Sequence, residues 1–213
     1  MIMMDSFQLA QGVSVSNLEG IHECYEVIER PHPSDGQPFY SFVINISIEK
    51  LSPLLIDFCK GLEEPGFFLC EIPTSQQEEL ELRQSEQDPF HKNVYYRDGC
   101  SRHELLHLLE AYGEWFIQDG MSCFGFASHN SKDEIFVGKY KITNIFTRNA
   151  ERYKALLAQF GIPQEAQIKT VWKNFCHEAP GECSLFALKG RTVYDIVEEM
   201  QKNGLYLAEQ REE

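Results

Sequence analysis

From Tyr40 to Ile48, Tyr40, Phe42, Ile44, Ile46 and Ile48 alternate with Ser41, Val43, Asn45 and Ser47. Period-two spacing places the first set on one side of an extended chain, so the segment is predicted as a strand with one buried face. Such a strand needs a partner for its backbone donors and acceptors and a second layer over its apolar face. Glu23 to Glu29, with Cys24, Tyr25, Val27 and Ile28, supplies the partner. The turn-rich stretch from Arg30 through Pro31, Pro33 and Asp35 to Gly36 joins the two as a hairpin with a long loop.

The rest of the chain supplies the covering layer. Ser52 and Pro53 suit an N-cap and first helical position, Leu54, Leu55 and Phe58 follow at helical spacing, and Gly61 supplies a stop. Phe67-Phe68-Leu69-Cys70, bounded by Pro65-Gly66 and Pro73, has the compact apolar character of a strand buried on both faces. Asn93 to Tyr96 suits a short strand. Ser101 and Glu104 form a capping box opening a helix to about Gln118, with Leu105, Leu108, Leu109, Tyr112 and Phe116 as its buried stripe. Met121 to Ala127, Glu134 to Tyr140 and Ile142 to Phe146 are predicted as three antiparallel strands.

Thr147 or Asn149 can cap a helix carrying Tyr153, Leu156, Leu157 and Phe160 and ending at Gly161. Pro163 is expected to open a second helix through Ile168, Val171, Trp172 and Phe175, paired with the first as a helical hairpin. A strand at Cys183 to Leu188, a helix from Thr192 stopped at Gly204, and a short strand at Leu205 to Leu207 suggest a βαβ-like ending. Strands and helices do not alternate strictly enough for a doubly wound fold. The expectation is therefore one α+β domain over residues 1–213, with a mixed, mainly antiparallel sheet and about five to six helices packed on it.

Charge narrows the function classes. Nineteen Lys and Arg against 33 Asp and Glu give a net charge of -14, which repels nucleic-acid phosphates and anionic lipid and favours a basic partner. No apolar run approaches the roughly 18 residues that span a bilayer, and Met1 to Asp5 has no basic leader character. Seven cysteines at wide spacings without a C-x-x-C pair suit reduced thiols, and the expected location is cytoplasmic. Cys176 and His177 are helix neighbours in this scheme, so their side chains diverge and Cys176 is expected to pack as a hydrophobe beside Trp172.

One formal motif is present, His103-Glu104-Leu105-Leu106-His107. Two imidazoles one helical turn apart can grip zinc while the glutamate activates a bound water. The pentapeptide resembles the metal segment of zinc-dependent peptidases, which would make His103 and His107 ligands and Glu104 the catalytic base of a zinc-dependent hydrolase. The resemblance stops at five residues, because Glu110 and Gly113 stand where the longer form has its glycine and third histidine. The helical wheel turns both histidines to the solvent side with Glu110 and Glu114, and Glu104 is already the third residue of the capping box.

The most distinctive stretch is acidic and exposed, at about residues 74–92. Between Glu63 and Asp88 eight carboxylates, Glu78, Glu79, Glu81, Glu86 and Asp88 among them, stand against a single Arg83, and no core-facing pattern can be drawn through residues 74–92. The five named carboxylates are the expected partner-binding residues of a non-enzymatic protein-binding module without cofactor. Its concrete version is an immunity-type inhibitor of a basic toxin or nuclease. The zinc hydrolase is one alternative, and a small-ligand-binding domain is another.

Overall fold

The computed structural model describes residues 7–31 and 37–212. In chain order the elements are β1 (Val13–Ser14), β2 (Cys24–Pro31), β3 (Pro38–Asn45), α1 (Ile48–Gly61), β4 (Gly66–Pro73) and α2 (Gln76–Leu82). They continue with β5 (His91–Cys100), α3 (Arg102–Gln118), β6 (Cys123–Ser128), β7 (Glu134–Val137), β8 (Thr143–Thr147) and α4 (Ala150–Gln159). Last come β9 (Glu182–Cys183), α5 (Val193–Gln201) and β10 (Tyr206–Glu212). Eight strands form one antiparallel sheet in the order β10-β5-β4-β6-β7-β8-β3-β2, and β1 pairs with β9 in a separate two-stranded ribbon. The fold is α+β, with five α-helices among the described residues and a large antiparallel sheet.

The alternation in β3 does what period-two spacing requires. Phe42 and Ile44 are fully buried and β2 pairs alongside them from Cys24↔Asn45 to Pro31↔Pro38. Residues 32–36 of the connecting turn lie outside the described residues. Strand β4 is buried on both faces: Phe68, Cys70 and Ile72 join the main core under the helices, while Phe67 and Leu69 form a smaller cluster with Ala127 on the opposite face. On that opposite face Glu71 is buried too, ion-paired with Lys92 at 2.5 Å and with Arg211. The main core is completed by α1, α3, α4 and α5, whose contacts include the stacked Phe58 and Tyr153 rings, 5.4 Å apart.

Helix α1 begins earlier than its Ser-Pro signal implies. Ser47 is the N-cap, and Pro53 sits inside the helix. A proline there forfeits one backbone hydrogen bond, worth about 1 kcal/mol net, whereas starting at Ile48 lets Leu51 bury completely with Leu54, Leu55 and Phe58. Burial outweighs the lost bond.

The largest departures lie in residues 162–190. No helix starts at Pro163, and the helical hairpin is absent; one 3-10 turn at Val171–Asn174 is all the helical structure there. The segment's amides go to the sheet edge instead. Glu165 N donates to Tyr25 O at 2.8 Å, and Ile168 N donates to a Glu26 carboxylate oxygen at 2.9 Å. A helix from Pro163 would take the Ile168 amide for the Gln164 carbonyl and would break the extended pairing of residues 163–165 with the otherwise open edge of β2. With no helix to bury it, Cys176 is exposed, and Trp172 stacks edge-on to Tyr140 at 4.7 Å while remaining half-exposed.

The chain's end also differs. The strand expected at 183–188 shrinks to Glu182–Cys183, and β10 runs antiparallel beside β5, so no βαβ unit closes the fold.

A single lysine locks the end of α3. Tyr140 and Lys141 both adopt positive φ, 55° and 58°, which turns the Lys141 side chain inward. Its ammonium donates to Phe116 O and Ser122 O, both at 2.9 Å, covering a carbonyl that the last helical turn leaves without an amide partner. Burial lowers this lysine's pKa to about 8, with Cys123 and Asp119 in its field opposing the shift. Beside it, Gly120 lies so close to Gly12 that a Cβ would stand 1.8 Å from the Gly12 carbonyl oxygen.

Among the described residues no helix is long and apolar enough to cross a membrane. All seven cysteines are free thiols.

Candidate functional site

The acidic segment is ordered, and its order is local. Ser75 caps α2 with a reciprocal box: its hydroxyl accepts from Glu78 N, and the Glu78 carboxylate accepts from Ser75 N at 2.7 Å. Glu78 also accepts from Asn93 Nδ2 at 3.1 Å, tying the helix to β5. Glu79 accepts from the Thr74 hydroxyl and from His91 N at 2.7 Å, with His91 Nδ1 at 3.3 Å. Burial works against ionisation of both glutamates, but these donors prevail and hold the two carboxyls below the usual range. Asp88 is lowered too, by the Ser85 hydroxyl and then by the Gln84 and Ser85 amides that it closes into a turn.

Three of the five candidate partner-binding carboxylates are therefore already engaged inside the segment. Glu81 and Glu86 differ: both are exposed, and among the described residues neither carboxylate makes a hydrogen bond or ion pair. The segment is thus divided into inward acids that hold its shape and outward acids that face water.

That shape is one wall of a cleft of about 750 Å³. Leu80 from α2, Phe90 from the following loop, Met121 from the approach to β6 and Tyr194 from α5 converge on it, with Arg83 and His91 at the polar end. Leu80 is 78% exposed, Phe90 58% and Met121 36%, so three of the nine large hydrophobics most exposed among the described residues open into one depression. The Arg83 guanidinium lies over the Phe90 ring, 4.2 Å from its centroid, and donates to Glu86 O at 2.6 Å, which fixes the loop between them. Tyr194 donates its hydroxyl to Pro73 O at 3.1 Å, and Met121 is anchored through its amide to Asp119 at 2.9 Å.

The cleft was hidden in sequence because Leu80, Leu82 and Phe90 fit no core face. That misfit was the available signal: apolar residues in an acidic stretch without core periodicity end up exposed.

His103 and His107 lie on α3, both exposed, one turn apart and facing solvent. Glu104 accepts from Ser101 N and the Ser101 hydroxyl, both at 2.8 Å, and from Arg97 at 3.3 Å. These bonds keep its carboxyl below the usual range. The capping box is a structural feature with its own consequence: Ser101→Ala is expected to lower stability by about 1 kcal/mol, read as a shift in the urea midpoint at unchanged slope.

The one cluster of three metal-competent side chains among the described residues lies elsewhere, at His22, Cys24 and Glu165. The architecture is thus an α+β protein with a long antiparallel sheet, helices over one face and a carboxylate-rimmed apolar cleft beside α2. No protein-family model matches the chain, and no match appears among curated proteins or solved structures.

Proposed function

We propose that this chain is a non-enzymatic protein-binding module whose α2 cleft receives an apolar side chain of a basic protein partner. The observation that carries this proposal is the convergence of exposed Leu80, Phe90 and Met121 beside the exposed carboxylates of Glu81 and Glu86. An apolar anchor in a pocket supplies affinity, and a charged rim supplies steering and partner choice. The net charge of -14 extends that field over the whole surface, which favours Lys and Arg around the inserted side chain. An immunity-type inhibitor that covers a cationic toxin or nuclease is the concrete form of this activity.

A display library of random dodecapeptides panned against the full chain tests it. Selected sequences should carry a large apolar residue flanked by Lys or Arg. Leu80→Ala and Phe90→Ala should each weaken them by about tenfold or more. The double change Glu81→Gln, Glu86→Gln should leave the apolar preference but reduce the salt sensitivity of binding. Peptides without basic flanks, or peptides indifferent to Phe90→Ala, would defeat the proposal.

A further inference from the structure

We infer that His22, Cys24 and Glu165 form a zinc site that fastens the irregular 162–190 segment to the edge of the sheet. One ligand atom from each of the three lies within 4.8 Å of the others. The donors are an imidazole nitrogen, a thiolate sulfur and a carboxylate oxygen, a set that suits zinc and excludes the hard cations calcium and magnesium. Three protein ligands leave a fourth position for water.

The framework is rigid where a metal site needs it to be. Cys24 opens β2, the edge strand of the large sheet, and Glu165 is held against that edge by two backbone bonds: Tyr25 N to Pro163 O at 2.9 Å and Glu165 N to Tyr25 O at 2.8 Å. His22 Nε2 already meets Glu165 Oε1 at 2.7 Å. Parting that pair to roughly 3.3 Å, the edge of a tetrahedron with bonds near 2.0–2.1 Å, admits the ion.

Supporting contacts fit ligand roles. Asn45 directs Nδ2 toward the Cys24 sulfur at 3.9 Å while donating to Lys169 O at 2.8 Å, so one amide joins the sulfur to the same irregular segment. Cys24 is buried at the base, whereas the side chains of His22 and Glu165 are 52% and 36% exposed, which leaves an entry path from water.

Charge also favours the ion. A thiolate and a carboxylate together neutralise a dication, and the protein's negative field draws it in.

Cobalt(II) added to metal-free, untagged full-length protein tests the site, followed by zinc titration against a chelating dye. One equivalent should give visible tetrahedral bands together with a near-ultraviolet thiolate-to-cobalt band, and zinc should raise the melting temperature. Cys24→Ser should abolish the thiolate band, and Cys24→Ser, His22→Ala and Glu165→Gln should each weaken zinc by about a hundredfold. His22 is exposed, so its alanine variant keeps the test valid even if Cys24→Ser folds poorly. The inference fails if no thiolate band appears, if zinc leaves the melting temperature unmoved, or if His103→Ala rather than His22→Ala removes the binding.

Discussion

Asp119→Ala is expected to lower the unfolding free energy by about 3–5 kcal/mol, among the largest losses available to a single side-chain truncation in this protein. Asp119 is fully buried at the C-terminal cap of α3, and its two oxygens serve three backbone amides. Oδ1 accepts from Met121 N at 2.9 Å and Ser122 N at 2.7 Å, and Oδ2 accepts from Phe186 N at 2.8 Å. Alanine leaves these donors without an acceptor in a site from which water is excluded, and each orphaned amide costs about 1–3 kcal/mol. It also removes the negative charge that accompanies the buried Lys141 ammonium. Urea unfolding measures the loss, and a deficit below about 1 kcal/mol would show that the turn re-forms its hydrogen bonds elsewhere. Because Met121 sits at the rim of the α2 cleft, Asp119→Ala should also weaken peptide capture by that cleft.

Stability is expected to fall by about 3–4 kcal/mol per pH unit around pH 9.5, with reductant present throughout. Burial pushes the Cys59 and Cys70 thiols far above their ordinary range. Burial also carries Cys123 up to about 11, against the pull of Lys141. An unfolded thiol ionises near about 8.5, so above that pH the unfolded chain holds fewer protons than the native one. Stability present below the unfolded value is therefore lost as pH climbs toward the native values.

Lys141 acts with the opposite sign. Its native pKa of about 8 lies below the unfolded value, so its share of stability rises as pH climbs from about 8 to about 10.4. Burial also raises Cys24 to about 11, so one lysine offsets one of at least four thiols, which leaves the net fall. Denaturant midpoints from pH 8 to 10 check the slope, and Cys59→Ala should reduce it by about 1.4 kcal/mol per pH unit. A midpoint that stays flat or rises would refute the assignment of buried thiols as the controlling groups.

Much of the fold was legible in residue order. The β2–β3 hairpin, the doubly buried β4, the capped helix α3 and the three strands β6 to β8 each carried a signal complete within about twenty residues: a period, a cap or a bounded apolar run. The candidate site was legible only in part. The acidic stretch was visible, but which of its carboxylates face inward was not, because Glu78 and Glu79 are claimed by Asn93 and His91 on the neighbouring strand. Glu81 and Glu86, with the same chemistry, have no such neighbour and stay outside.

Residue order by itself determined the alternating strands, the helix caps and the net negative field, because each depends on a side chain's own chemistry or on neighbours a few positions away. Only the tertiary structure decided the path of residues 162–190, the antiparallel docking of β10 on β5, and the meeting of His22 with Glu165 across 143 positions of chain. The physical reason is competition for backbone donors. The apolar spacing after Pro163 is compatible with a helix, but residues 163–165 pair in extended form with the open edge of β2 and Glu26 accepts the Ile168 amide, and a chain committed to the sheet in this way cannot also coil into a helix.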